Sequence, residues 1–352
     1  MGLNLNSRHQ SILKATIEHY IATAEPVGSG TLAREFDLSV SSATIRNVMG
    51  KLEKEGFLYQ PHTSAGRVPS DSGYRTYVDH LLPRNQAVYR RIANLLYEHL
   101  HLDRVYNFER LLQRAAKILA TISGYVVLIT TPQKASCQIR HVQLVAIDEE
   151  KLLLILVTDD YQSQSLIIDT SNLGDNEIRQ ELELLTNFLN TILVNKTIAE
   201  LASLDLEAIN QELKGYGGLI EKLLKEIHRL HRAQQDSSIM VQGFAEVLRQ
   251  PEFAELEQVQ MLIQLLEQGH DQLKPLIWDR HNQHRIVDIT IGAENPLEPM
   301  QGCSLISAAY RYQNNAVGKV GMIGPTRMVY EDSIALVEST ANYLSELSEI
   351  FS

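Results

Sequence analysis

The feature that most limits the possible folds is a change of hydrophobic period within the first 83 residues. Apolar residues recur at helical spacing in three short segments, which Pro26 and the turn at residues 37–40 separate. After Gly56 the period shortens, and residues 57–59 and 67–68 indicate two short strands around a turn. Three short helices followed by a β-hairpin are typical of a winged helix, whose third helix is the recognition helix.

The third helix is expected to begin at Ser41 or Ser42, to bury one apolar face and to end at Gly56. Its opposite face is polar. Arginine bonds guanine, asparagine bonds adenine, and serine or threonine bonds either base or a phosphate. The candidate DNA-binding residues are Ser41, Ser42, Thr44, Arg46, Asn47 and Lys51 on the helix, with His62, Ser64 and Arg67 on the hairpin. A winged helix used for protein contacts fits the same pattern and stays open.

Charge is distributed unevenly along the chain. The net charge is −11, yet residues 1–83 carry eight basic and eight acidic residues, so the acidic excess lies in the rest of the chain. A neutral N-terminal segment is compatible with DNA contact if the segments of two chains bind together. Two distant cysteines, Cys137 and Cys303, exclude a disulfide framework and indicate a reducing cytoplasm. No apolar run approaches the roughly 20 residues of a membrane span, so no membrane partner is expected.

Beyond residue 83 the pattern predicts an α+β body. A helical linker is expected over residues 84–123, and strands over 125–131, 139–147, 152–158 and 165–169. Strands return at 285–291, 305–312 and 317–323, before a closing helix at 331–351. The simplest interpretation is one α+β domain with an insertion, because neither half alone has enough strands for a well-covered sheet. Two separate small domains are the alternative.

The expected insertion, residues 211–275, contains three apolar stripes at helical spacing and little else. A segment of this size has a marginal core, so we expect it to complete its burial against a second copy of the chain. The candidate dimerisation residues are Leu219, Leu223, Ile227 and Leu230. The alternative is that the segment folds on its own or lies on the body.

Catalytic and metal-binding sets are not apparent. His228 with His231, and His281 with His284, have helical spacing, but no further ligands complete a metal set. Cys303 has no obvious histidine partner, and the glycines at 215–218 lack the frame of a phosphate loop. We therefore expect no enzyme, no cofactor and no metal.

Several motifs resemble the HrcA family of bacterial heat-inducible transcription repressors. They are Pro26–Ser29, Ser41–Asn47, Pro61–Pro69, Gly73–Arg75, Tyr77–Asp79, Gln250–Phe253 and Gly321–Met328. The resemblance spans the chain and implies a GAF-like domain interrupted by an inserted dimerisation domain. It also implies a homodimer on an inverted-repeat operator, CIRCE, upstream of chaperone genes, with the chaperonin GroE as modulator.

Together these observations predict a cytoplasmic negative regulator of class I heat-shock operons that releases its operator on heating. The expected domains are a winged helix at 1–83, a linker at 84–123, GAF-like parts at 124–210 and 276–352, and the helical insertion at 211–275. One alternative is a winged-helix regulator controlled by a small molecule in the GAF-like domain. Another is an enzyme or chaperone-associated factor that does not bind DNA.

Overall fold

Helices and strands are both abundant in the computed structural model, which confirms the mixed α+β class. The structure describes residues 5–83, 85–100, 108–132, 138–148, 151–159, 163–169, 182–201, 219–220, 222–227, 239–247, 250–253, 256–268, 270–278, 286–312 and 316–348. The helices are α1 Ser7–Thr23, α2 Ser29–Glu35, α3 Ser42–Lys54, α4 Asp71–Thr76, α5 Gln86–Leu100, α6 Phe108–Ser123, α7 Leu182–Leu193, α8 Ile198–Leu201, α9 Phe244–Val247, α10 Leu256–Gln268, α11 His270–Trp278 and α12 Tyr330–Ser348. The strands are β1 Leu58–Tyr59, β2 Val68–Pro69, β3 Val126–Thr130, β4 Ile139–Ala146, β5 Lys151–Thr158, β6 Ser163–Asp169, β7 Ile239–Gln242, β8 Val287–Ile291, β9 Cys303–Tyr312 and β10 Ala316–Pro325.

The chain forms two compact units. The first contains Met1–Pro132, Ser238–Tyr312 and Gly318–Ser352, and the second contains Gln133–Ser237 and Gln313–Val317. The second unit is thus an insertion in the first.

The first unit begins with three helices and a hairpin, residues 5–69, which we call the head. The side chain of Asn6 accepts a hydrogen bond from the His9 amide at 2.9 Å and caps α1, and α1 ends at Ala24 in a left-handed conformation. β1 and β2 pair antiparallel. Apolar side chains from all three helices fill one core, including Ile12, Leu13, Ile17, Leu32, Ile45 and Leu52. The predicted helices and hairpin of the head are therefore confirmed.

α4 leads from the head into the rest of the first unit, which we call the body. It is capped by Ser70 and passes directly into a π-helical turn, Tyr77–Leu81. The body's sheet has the order β7-β3-β10-β9-β8, and β3 pairs antiparallel with both β7 and β10. Its strand β3 is buried on both faces, because successive residues alternate between two layers of apolar side chains.

One layer joins Val127 and Ile129 to α5, α6 and α12. The other joins Val126 and Leu128 to α10 and α11. This arrangement explains why four consecutive apolar residues begin β3: all five of its residues, including the polar Thr130 at its end, are buried.

The second unit has a sheet of its own. β4, β5 and β6 pair antiparallel in sequence order, and α7 packs on one face. Asn190 of α7 joins the sheet edge, since its amide nitrogen donates to the Val142 carbonyl at 2.7 Å and its oxygen accepts from the Val142 amide at 2.9 Å.

The sheet pairing corrects the expectation of one sheet built from both halves of the body. Short connections and alternating polarity let β4–β6 pair with one another, whereas β3 pairs with strands from later in the chain. The expected insertion at 211–275 is also divided. Helical residues 219–220 and 222–227 pack in the second unit, but α10 and α11 cover the sheet of the first.

Candidate nucleic-acid interface

α3 separates apolar and polar side chains onto opposite faces. Ile45, Val48, Met49 and Leu52 are buried in the head core. Five of the six polar candidates on α3 and its N-cap are exposed, namely Ser41, Ser42, Arg46, Asn47 and Lys51. A recognition helix needs this separation, because the residues that reach base edges must not be required by the core.

The N-terminal end of α3 is fixed by a cap. The Ser41 hydroxyl accepts a hydrogen bond from the Thr44 amide at 3.3 Å, and the two hydroxyl groups lie 3.0 Å apart. Thr44 is half-buried, and its hydroxyl therefore serves the cap in the free protein. Ser42 and Arg46 remain exposed beside this first turn, where unpaired amides favour an anion.

The hairpin presents His62 and Ser64 to solvent, but Arg67 is engaged elsewhere. Its Nε and Nη2 atoms each lie 2.9 Å from Oε2 of Glu53 on α3, and the side chains are 22% and 33% exposed. This ion pair joins the hairpin to the candidate recognition helix. It also neutralises an acidic residue that would otherwise repel phosphates.

Backbone contacts hold the hairpin against the connection between α1 and α2. Val27 and Arg67 exchange two hydrogen bonds, of 2.9 and 2.8 Å. Within the hairpin, the Gln60 side-chain amide donates to the Thr63 and Ala65 carbonyls at 2.9 and 2.8 Å. Glycine is required at 66, since a Cβ there would collide with the Val27 backbone. The roles of Glu53 and Gln60 were missed in the sequence, where no pattern marks either residue.

The candidate dimerisation residues have a role within the protomer. Leu219, Leu223 and Ile227 are 1%, 1% and 0% exposed, and they pack with β4, β5 and α7 in the core of the second unit. Leu230 lies outside the described residues. The apolar stripe therefore fills a core rather than a dimer surface, because a β-sheet, which periodicity alone did not reveal, lies against it.

The remaining candidate chemistry is sparse. Within the described part of the chain, no group of three or more metal-ligating side chains comes together. Cys303 is buried, and this burial raises the pKa of its thiol to about 12. Cys137 and the four histidines 228, 231, 281 and 284 lie outside the described residues. Among the described helices, none has the length and hydrophobicity needed to cross a membrane.

Comparisons with known proteins identify the family. The model for the HrcA protein C-terminal domain matches residues 109–334. Two proteins named heat-inducible transcription repressor HrcA match along almost their whole lengths. The one from Nostoc punctiforme is 48% identical and covers 100% of both chains, and the one from a Cyanothece species is 47% identical and covers 98% of both.

A solved structure also matches. It is a crystal structure at 2.2 Å resolution of a protein described as hypothetical, with 25% identity, a TM-score of 0.59, and coverage of 99% of this chain and 100% of that one. The family model spans more than half of the chain, and the relatives extend the match across the head. The chain therefore belongs to the HrcA family of heat-inducible transcription repressors.

Proposed function

We propose that this chain represses class I heat-shock operons by inserting α3 into the major groove of an inverted-repeat operator, CIRCE. One observation carries the proposal: α3 buries its four large apolar residues and leaves Arg46, Asn47 and Lys51 exposed. In this proposal the head is a winged helix-turn-helix, with the hairpin as its wing.

The exposed side chains have different proposed roles in DNA binding. Arg46 bonds a guanine and Asn47 an adenine, since these pairs have matching donor and acceptor geometry in the major groove. Ser41, Ser42 and Lys51 hold phosphates beside the helix, and Thr44 supports the turn that presents them. His62 and Ser64 contact the backbone from the wing. Arg67 acts through Glu53, and its pairing keeps the wing aligned with α3.

The proposed active form is a homodimer, because an inverted repeat has two-fold symmetry and each half takes one head. The body is proposed to be GAF-like, with its antiparallel five-stranded sheet and helices on both faces in support. The second unit, which interrupts the body in sequence, is the proposed dimerisation domain. Because each head binds weakly by itself, operator affinity depends strongly on dimerisation, and loss of the dimer on heating would release the operator.

The chaperonin GroE is the proposed modulator. A body sheet assembled from distant strands forms slowly, because β3 pairs with β7 and β10, which lie far from it in the sequence. A chain of this kind exposes apolar surface while it folds, which is the surface that a chaperonin binds.

The test uses Arg46→Ala together with Asn47→Ala in the full-length protein. We expect the double variant to lose about 30- to 25,000-fold in affinity for the inverted repeat, since each of the two contacts is worth about 1–3 kcal/mol, and to retain most of its binding to a scrambled duplex. Arg34→Ala is the matched control, since Arg34 is an exposed arginine of the same head that lies on α2. Normal operator binding by the double variant would refute the recognition-helix assignment.

A ligand-sensing regulator is the second candidate, and a cavity of about 470 Å³ in the body favours it. Val78, Tyr89, Val287 and Ile334 are among its lining residues, and they come from four different elements around α4, α5, β8 and α12. A metabolite that raises the melting temperature and changes operator affinity together would support this candidate. Such a metabolite should lose its effect when Ile334→Trp fills the cavity.

A further inference from the structure

Arg327 lies in the connection between β10 and α12, and it contacts the head. Its Nη1 donates to the carbonyl of Ile21 at 2.8 Å, in the last turn of α1. Carbonyl groups in the last turn of a helix have no partner within the helix, and a cation is favoured there. The body therefore binds the C-terminal end of α1 through a charged group.

Two side chains of the body hold the guanidinium in place. Glu252 accepts from Nε and also from Nη2, the latter at 3.2 Å, while Gln250 accepts from Nη2 at 3.3 Å. The Arg327 and Glu252 side chains are 13% and 25% exposed, so water screens the pair only in part. Four donated hydrogen bonds from one planar group leave it little freedom to turn.

A second anchor lies at α4. Arg75 donates to the Ile289 carbonyl at 2.8 Å and to both carboxylate oxygens of Glu294, with its Nε at 2.8 Å from one of them. Asp71 accepts from the amide of Ala293 at 2.8 Å. The covalent connection between head and body is thus fixed to the end of β8.

Two separated anchors have a geometric consequence. A head attached only through α4 can pivot about that helix, whereas a second contact at the end of α1 removes the pivot. α1 shares its core with α3 through Ile12, Ile17 and Ile45. Whatever fixes α1 therefore also fixes the direction in which α3 is presented.

We infer that Arg327 is a positioning residue for operator binding, which latches the end of α1 to the body and so sets the orientation of α3. This inference rests on the proposed function for its consequence at the operator, but not for the latch itself. Contact between head and body continues through Tyr74 and Tyr77, and Tyr77 also shares a side-chain hydrogen bond with Glu18 of α1. Arg327 adds a contact at the C-terminal end of α1, where four hydrogen bonds from one planar group set the orientation.

The latch is measured first without DNA, by the distance between two spin labels in the full-length protein. Ala33→Cys on α2 and Asn342→Cys on α12 place the labels at exposed positions, with Cys137→Ser in the background and excess unlabelled protein to dilute contacts between copies. We expect one narrow distance distribution for the parent and a broad one for Arg327→Ala. Arg91→Ala is the matched control, because it removes an arginine–aspartate pair, with Asp332, that lies entirely within the body.

Arg327→Lys separates charge from geometry. Lysine keeps the charge but lacks the planar fork that reaches Glu252, Gln250 and Ile21 together, so we expect its distribution to be broad as well. This variant, and Glu252→Gln, keep the test decisive if Arg327→Ala fails to fold. A narrow distribution in every folded variant would overturn the latch.

The operator arm compares inverted repeats whose half-sites are moved apart by two base pairs. We expect the parent to prefer the natural spacing and Arg327→Lys to lose about tenfold of that preference, with unchanged affinity for a single half-site. Equal spacing preference in the parent and the variant would overturn the positioning role. A parent that binds no operator would refute the proposed function instead, and the label distances would still decide the latch.

Discussion

The ion pair between Arg67 and Glu53 yields the most informative prediction, since Arg67 was expected from the sequence to contact DNA. Both contacts to Oε2 are 2.9 Å long, and the two side chains are only partly exposed. A pair of this kind contributes about 1 kcal/mol to folding. We therefore expect Arg67 to stay on Glu53 when the head binds an operator, rather than to move to a phosphate.

The assay is the salt dependence of operator affinity, measured by fluorescence anisotropy. Each phosphate contact contributes about 0.9 to the slope of log affinity against log salt, or about a 3.5-fold loss between about 50 and about 200 mM. Arg67→Ala should weaken binding through misalignment of the hairpin and leave the slope unchanged. Glu53→Gln should free Arg67 to contact a phosphate, so the fall of affinity with salt should become steeper by about 0.9 per head.

The opposite slopes would refute this reasoning. If Arg67→Ala makes the salt dependence shallower by about 0.9 per head and Glu53→Gln leaves it unchanged, then Arg67 leaves Glu53 on binding and contacts DNA directly. Arg34→Ala again serves as the control for an exposed arginine outside α3 and the hairpin.

Three further predictions concern stability and reactivity. Leu223→Asp places a carboxylate in the core of the second unit, so it should destabilise that unit by more than about 3 kcal/mol and lower the helical circular dichroism signal. A well-folded variant in which only self-association is weakened would contradict the burial of Leu223 within the protomer. Tyr74→Phe removes a buried hydroxyl that has no hydrogen-bond partner among the described residues, so thermal unfolding should show an equal or higher midpoint, and a loss of several degrees would reveal a partner. Cys303, whose pKa burial raises from 9.0 to about 12, should resist thiol reagents at pH 8 until the chain unfolds, as peptide mapping would detect; its contribution to stability is fully present below pH 9 and is lost as the pH rises towards 12.

The head was predictable from the sequence because local signals agree there. A helical apolar face with Ile45, Val48 and Leu52, a serine cap and a following hairpin all specify the same structure. The exposure of Arg46 and Asn47 follows directly from that face. The pairing of Arg67 with Glu53 does not, since residues 14 positions apart meet only when the hairpin folds back on α3.

The body was predictable only in its elements. Strand positions from periodicity were close to those observed, but the choice of partners was not, because β3 pairs with β7 and β10, which come more than 100 residues later. The stripe through Leu223 shows the same limit. An apolar helical face must be buried, but its spacing does not tell whether a sheet or a second copy of the chain covers it.

The most direct test of the central claim is a titration of an inverted-repeat duplex with purified protein at fixed salt, repeated as the temperature is raised. A scrambled duplex of the same length is the control, since phosphate contacts alone give salt-dependent binding to any sequence. The account predicts tight binding to the inverted repeat, weaker binding to the scrambled duplex by at least about a thousandfold, and release on mild heating. Equal affinity for the two duplexes, with chaperonin present as well as absent, would contradict it and leave α3 as a surface for protein contacts.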